Sequence, residues 1–153
     1  MPGAVVSYMT ATPNLGEFVD TNVLVYAFDG SPQVAGRRLA AQELVARLWE
    51  TRSGCLSTQV LQEFFAVSTR KIKVPMSTEQ AYSVVETYAA WAVHRPTPAD
   101  VLDAIQLHQQ HQIAFWDALI IRSAQAMNCR VLWSEDLTPG QVVGELTIRN
   151  PFA

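Results

Sequence analysis

Residues 16–30 read GEFVDTNVLVYAFDG. Phe18 and Val19 begin an apolar run that the acid Asp20 cuts, and apolar residues resume at Val23 only after Thr21 and Asn22. A short run of this kind predicts a strand, with Asp20 standing at its end. A carboxylate there needs a reason, because an unpaired charge is costly to withdraw from water.

Working outward, short apolar runs recur and predict strands at about 17–20, 54–57 and 130–134. Longer segments of helical period separate them, which is the pattern of a parallel sheet with helical crossovers. Over 33–52, Ala40, Ala41, Leu44, Val45, Leu48 and Trp49 form one apolar stripe, with Arg38, Gln42, Glu43, Arg47 and Glu50 opposite. Ser77 and Gln80 spell a capping box ahead of Ala81, Val84, Val85 and Tyr88, which predicts a helix over 78–93. Thr97-Pro98 supplies an N-cap and a proline at the first helical position ahead of Val101, Leu102 and Ile105. A further helix is expected from Trp116 to Met127, closed at Asn128 by a left-handed residue. The stretch HRPTP at 94–98 marks a turn between helical patterns.

With 153 residues, 49% of them hydrophobic, the chain can bury one substantial core, and a single domain over 17–153 is expected. Residues 1–16, MPGAVVSYMTATPNLG, have no basic start and no long apolar run, so a flexible extension is expected there, with no signal peptide or membrane span. The expected compartment is the cytoplasm. A net charge of −3 gives no overall pull toward phosphate, so any nucleic-acid contact must use a local patch. Arg70, Lys71 and Lys73 form the densest basic run, readable as a solvated helix end or as an RNA-phosphate contact. Cys55 and Cys129 have no Cys-x-x-Cys pairing and read as small buried hydrophobes, and His108 with His111 lacks a third zinc ligand. Trp116, beside Asp117, reads either as core or as a stacking surface for a base.

Four acids can be placed on this scaffold. Asp20 ends the first strand, Asp136 follows VLWS, Glu63 lies in the helix after GCLS, and Asp117 begins the helix of WDALIIRSAQAM. In an open α/β sheet, the carboxyl ends of the strands and the helix starts that follow them line one crevice. Like charges gathered there either hold protons or bind a cation. Hard oxygen ligands without convergent Cys or His favour Mg²⁺ or Mn²⁺, and such ions promote phosphodiester hydrolysis.

The ordered set FVDTNVLVYAFD, the acid in STQVLQEFF, FWDALIIRSA and VLWSEDL spans residues 17–137. It resembles the PIN-domain ribonucleases, in particular the VapC-type toxins of bacterial toxin–antitoxin pairs. The resemblance implies a single α/β/α sandwich with a central, mostly parallel sheet. It also implies an Mg²⁺-dependent endoribonuclease site, with Mn²⁺ as a possible substitute, at Asp20, Glu63, Asp117 and Asp136. Asp20 and Asp117 are then the main metal ligands, with Glu63 and Asp136 joining directly or through water. Thr21, Asn22 and Ser134 are implied to orient carboxylates or bound waters. Glu135 adjoins the fourth position and could take its place. An RNA substrate, a cognate antitoxin and homodimerisation are implied too, and the helical positions of 33–52 and 78–93 could serve as interfaces. The lead of 16 residues before the first motif departs from many relatives, which begin close to it.

Competing classes fit less well. A haloacid-dehalogenase-like phosphatase wants a second acid two residues after the first, where this chain has Asn22, and a response-regulator receiver wants an acidic pair and a late lysine. The alternative that stays open is a non-catalytic PIN-fold module that binds RNA or protein.

Overall fold

The computed structural model describes residues 15–153. Residues 1–14, most of the extension expected over 1–16, lie outside the described residues. Strand β1 covers Glu17–Val19 and stops one residue short of its expected end, because Asp20 serves as a cap. The Asp20 carboxylate accepts a hydrogen bond from the backbone N–H of Thr21 at 2.7 Å and opens helix α1, Thr21–Phe28. An aspartate at this position satisfies a donor that the helix start leaves free. The opening stretch is therefore strand, cap and buried helix, with Val23, Leu24, Val25 and Ala27 all in the core.

A single 3₁₀ turn leads into helix α2, Ala35–Thr51, which buries Ala41, Leu44, Val45 and Leu48 and ends at Arg52 with φ of 56°. Strand β2, Gly54–Ser57, is buried along its whole length, and the Ser57 hydroxyl caps helix α3, Thr58–Ser68. Helix α4, Thr78–Tyr88, opens with the expected Ser77–Gln80 capping box. It stops short of residue 93, because the chain turns and pairs as strand β3, Ala92–His94, along Cys55–Ser57 of β2. Trp91, at that turn, packs so closely beneath Gly54 that a Cβ there would lie 2.6 Å from the indole. Pairing and burial of Trp91 outweigh the local helical pattern.

Helix α5, Pro98–His111, starts at the Thr97 cap as expected, with Asp100 completing a capping box. Helix α6, Phe115–Ala126, is followed by Asn128 at φ of 57°, the expected left-handed position. Strand β4 is Val131–Trp133, inside the expected span, and two unexpected strands follow it, β5 at Val142–Val143 and β6 at Leu146–Arg149.

The six strands run in the order β3-β2-β1-β4-β6-β5, all parallel except the β5–β6 pair. This is the expected mostly parallel sheet, flanked by helices in an α/β/α arrangement. Phe18, Leu56, Leu132 and Ile148 from the strands meet Leu24, Leu48, Phe64 and Ile121 from the helices in one core. Cys55 and Cys129 are free and buried in it, as expected. The sheet grows outward in both directions from β1 and β4, so their carboxyl ends flank the point where the connections diverge. Among the described residues, no helix is long and apolar enough to cross a membrane.

Candidate functional site

Asp20, at the end of β1, is 4% exposed and accepts three hydrogen bonds. Their donors are the Thr21 N–H at 2.7 Å, the Ser134 hydroxyl at 2.7 Å and the Asn22 amide at 3.2 Å. Burial pushes its carboxyl up to about 7, although the bonds from Ser134 and Thr21 pull the other way, and the charges of Asp117 and Asp136 raise it further. Hydrogen bonds fix this group in place but bring no positive charge to it.

The other three acids complete the arrangement. Asp117 lies in the first turn of α6, and its carboxyl is raised by burial and by the charges of Asp136 and Glu63. Glu63, on α3, accepts a hydrogen bond from the Thr21 hydroxyl at 2.8 Å. Asp136, just beyond β4, accepts one from the Asn22 amide at 2.9 Å. Asn22 thus spans two acids, while its carbonyl oxygen accepts from the Glu135 N–H at 3.1 Å. Ser134 donates to Asp20 and accepts from the Asp136 N–H at 3.1 Å. Thr21, Asn22 and Ser134 therefore sit between carboxylates, where their donors can orient them.

The four acids line one cleft of about 670 Å³, and none of them forms an ion pair among the described residues. Lys71, Ile72 and Lys73, from the loop after α3, line the same cleft, as does Trp116. Arg70, the third member of that basic run, is outside the lining. Glu135 also lines the cleft but has a cation of its own, Arg37 at 2.6 Å, and accepts a hydrogen bond from the Tyr26 hydroxyl at 3.1 Å. Of the two neighbouring acids, Asp136 is thus the one without a positive partner.

The family model for the PIN domain matches residues 18–142. The chain belongs to the PIN domain family. Three solved structures share its fold. A toxin–antitoxin complex from Klebsiella pneumoniae aligns with a TM-score of 0.67 at 14% identity, covering 89% of this chain and 98% of that one. DNA-bound VapBC from Salmonella typhimurium gives 0.62 at 17% identity, over 90% and 98%. VapC20 from Mycobacterium tuberculosis, a toxin that cleaves the sarcin–ricin loop, gives 0.58 at 17% identity, over 76% and 87%. None of the curated proteins compared with the chain matches it.

Whether this PIN domain suits a divalent ion is a question about donors. Among the described residues, no three His, Cys, Asp or Glu side chains form a ready-made metal cage. Magnesium does not require one, since it commonly takes one or two carboxylates and keeps several waters. Asp20 and Asp117 offer oxygen donors whose carboxyls are raised by burial first and by the neighbouring acids after it. The donor set therefore fits a hard, hydrated cation at an open site.

The PIN domain also uses residues that the sequence reading passed over. Gln59, one helical turn before Glu63, donates from Nε2 to the Trp116 carbonyl oxygen at 3.2 Å and reaches Glu63 at 3.5 Å. Its spacing of four residues from Glu63 on one helix face was the available signal. Arg37 and Tyr26 gave none, because their link to Glu135 spans 98 and 109 residues. His108 lies within hydrogen-bond distance of the Ile113 carbonyl oxygen and outside the cleft lining. His111 is outside that lining as well.

Proposed function

We propose that this PIN domain is a divalent-metal-dependent endoribonuclease and the toxin of a toxin–antitoxin pair. The observation that carries the reading is one cleft at the carboxyl ends of parallel strands, holding four acids without cations and two lysines on its wall. The likeness to VapC and VapBC structures supports the toxin assignment. Asp20 and Asp117 would hold Mg²⁺, or Mn²⁺ in its place, with Glu63 and Asp136 joining directly or through water. Such an ion, when bound, supplies charge neutralisation at the phosphate and acidification of the attacking water. Thr21, Asn22 and Ser134 keep the carboxylates in fixed directions, so little reorganisation is needed when negative charge builds up. Lys71 and Lys73 attract the RNA backbone into a site whose acids alone would repel it.

An antitoxin and a second copy of the chain are the proposed protein partners, and the cytoplasm the proposed compartment. Leu39 on α2 and Tyr82 on α4 are 58% and 65% exposed, which gives both helices apolar surface for such contacts. The domain is proposed to extend over 17–153, with Arg70 beside the two lysines as a more distant phosphate contact.

The test is cleavage of a mixed RNA pool by antitoxin-free protein with Mg²⁺ or Mn²⁺, with EDTA and Asp20→Asn as controls. Cuts that disappear in both controls are expected. A folded, metal-loaded protein that leaves the pool intact would turn the reading toward a binding module.

A further inference from the structure

Trp116 is 62% exposed, more than any other tryptophan in the described residues, yet it stands on the wall of the acidic cleft beside Asp117. The large apolar face has no intramolecular use that matches its size. Its neighbours hold it in place without covering it. Phe115 meets the indole edge-on, with ring centroids 5.1 Å apart and planes at 71°. Gln59, only 6% exposed, ties the Trp116 carbonyl oxygen to the helix that carries Glu63. That same Gln59 leaves its own Oε1 buried without a partner, so it is committed by its amide donor alone. Lys71 and Lys73 lie on the lining of the same cleft. An exposed aromatic face, cations for a backbone and acids for a metal together match one ligand chemistry, a nucleic-acid strand with an unpaired base.

We propose that Trp116 is a stacking platform for an unpaired base next to the phosphate that is cut, and thereby a specificity-determining residue. This rests on the ribonuclease reading above. Phe115 and Gln59 act as positioning residues, holding the indole and its backbone. A base inside a duplex is already stacked on its neighbours and cannot lie on the indole, so a single-stranded or looped segment is bound in preference.

The experiment uses full-length Asp20→Asn protein in EDTA, which keeps RNA intact, and a fluorescein-labelled single-stranded oligoribonucleotide, alone or annealed to its complement. Adding Trp116→Ala is expected to weaken single-strand binding by about 10- to 100-fold, with duplex binding weak and unchanged. Trp116→Phe, which keeps an aromatic face, is expected to retain most of the affinity. The emission of Trp116, isolated as the difference between parent and Trp116→Phe, is expected to be quenched by the unlabelled single strand, a readout independent of how well the alanine variant folds. Equal binding by parent and Trp116→Ala overturns the platform, including the case where the indole serves a protein partner instead. Unquenched emission at saturating RNA overturns it too. A parent that binds neither form of RNA overturns the ribonuclease reading itself.

Discussion

Two aspartates of this domain are almost equally buried, Asp20 at 4% and Asp100 at 5% exposed, and they meet opposite fates. Asp100 accepts from the Thr97 N–H at 2.8 Å, from Arg122 at 3.0 Å and from the Thr97 hydroxyl at 3.1 Å, with His94 at 3.0 Å. The backbone bond from Thr97, with help from Arg122, holds its carboxyl down at about 2. Asp20 has three donors but no cation among the described residues, so burial lifts its carboxyl to about 7, and the charges of Asp117 and Asp136 add to the rise. Burial alone does not decide what a buried acid is for; the sign of its neighbours does. Asp100 ties the start of α5 to β3 and α6, whereas Asp20 is an unmet charge directed at a cleft.

The largest expected effect is at Asp20. Asp20→Asn should lower metal-dependent RNA cleavage by about 10³-fold or more, measured as initial rate at saturating Mg²⁺. The same change should alter stability in a pH-dependent way. A carboxyl raised from 3.8 to about 7 binds a proton in the native state that the unfolded state has already lost. Its contribution is therefore fully present below 3.8 and is lost as pH rises through about 7, by up to roughly 4 kcal/mol. In EDTA, the wild type should lose stability relative to Asp20→Asn as pH rises from about 4 to about 7, and level off above that, in denaturant melts. Parallel pH curves for the two proteins would remove the contrast with Asp100.

Asp100→Ala should act through stability. Removing it leaves the Thr97 N–H without its acceptor and Arg122 with only the exposed Asp103 at 3.4 Å, a loss of about 3 kcal/mol, while cleavage per folded molecule stays near the wild-type rate. The sign is opposite to that at Asp20. A carboxyl lowered to about 2 contributes stability above the ordinary 3.8 and loses it as pH falls toward 2. A melt that shows no added acid sensitivity in the wild type over the alanine variant would contradict this assignment.

Much of this contrast was hidden in the sequence, and the reason is range. Features governed by neighbours in the chain were legible: β1 with its acid, the Ser77–Gln80 box, the Thr97-Pro98 start and the left-handed Asn128. The gathering of Asp20, Glu63, Asp117 and Asp136 at one cleft could be anticipated because parallel topology delivers strand ends to one edge. Strands β3, β5 and β6 were not legible. They have three, two and four residues, and pairing with a neighbour, not local preference, makes them strands. Asp100 drew no notice either, since Arg122 lies 22 residues away and only the fold brings it near. The basic run was legible as charge, but not which of its members would turn inward: Lys71 and Lys73 line the cleft while Arg70 does not.

Those two lysines sharpen the comparison from the side of the cations. At Asp100 the nearby cation neutralises the acid, whereas Lys71 and Lys73 line the acidic cleft without pairing to any carboxylate among the described residues. They should therefore serve the substrate. Lys71→Ala and Lys73→Ala should each lower the salt dependence of RNA binding by about one counterion and weaken binding several-fold at moderate salt. Thermal stability should hardly move. If either variant instead loses no RNA affinity but shifts the pH profile of cleavage, the lysine is a counterion for the acids, and the cleft resembles Asp100 after all.

The smallest expected effect lies where the two types of acid meet. Glu135 lines the cleft with Asp20, but like Asp100 it has a cation, and Arg37 sits 5.7 Å from the ring centroids of both Tyr26 and Phe152. The Arg37 side chain is 48% exposed, so screening leaves the pair little weight in stability. Its expected use is positional, because Glu135 precedes Asp136 and its N–H is already bonded to Asn22. Arg37→Ala should leave the melting temperature almost unchanged and lower kcat a few-fold with KM near wild type, through looser placement of Asp136. Glu135→Gln, which keeps an acceptor for Tyr26 but loses the ion pair, should match it, and the double variant should be no worse than either alone. Additive losses would mean that Glu135 acts on the metal in its own right, which would move it from the class of Asp100 into that of Asp20.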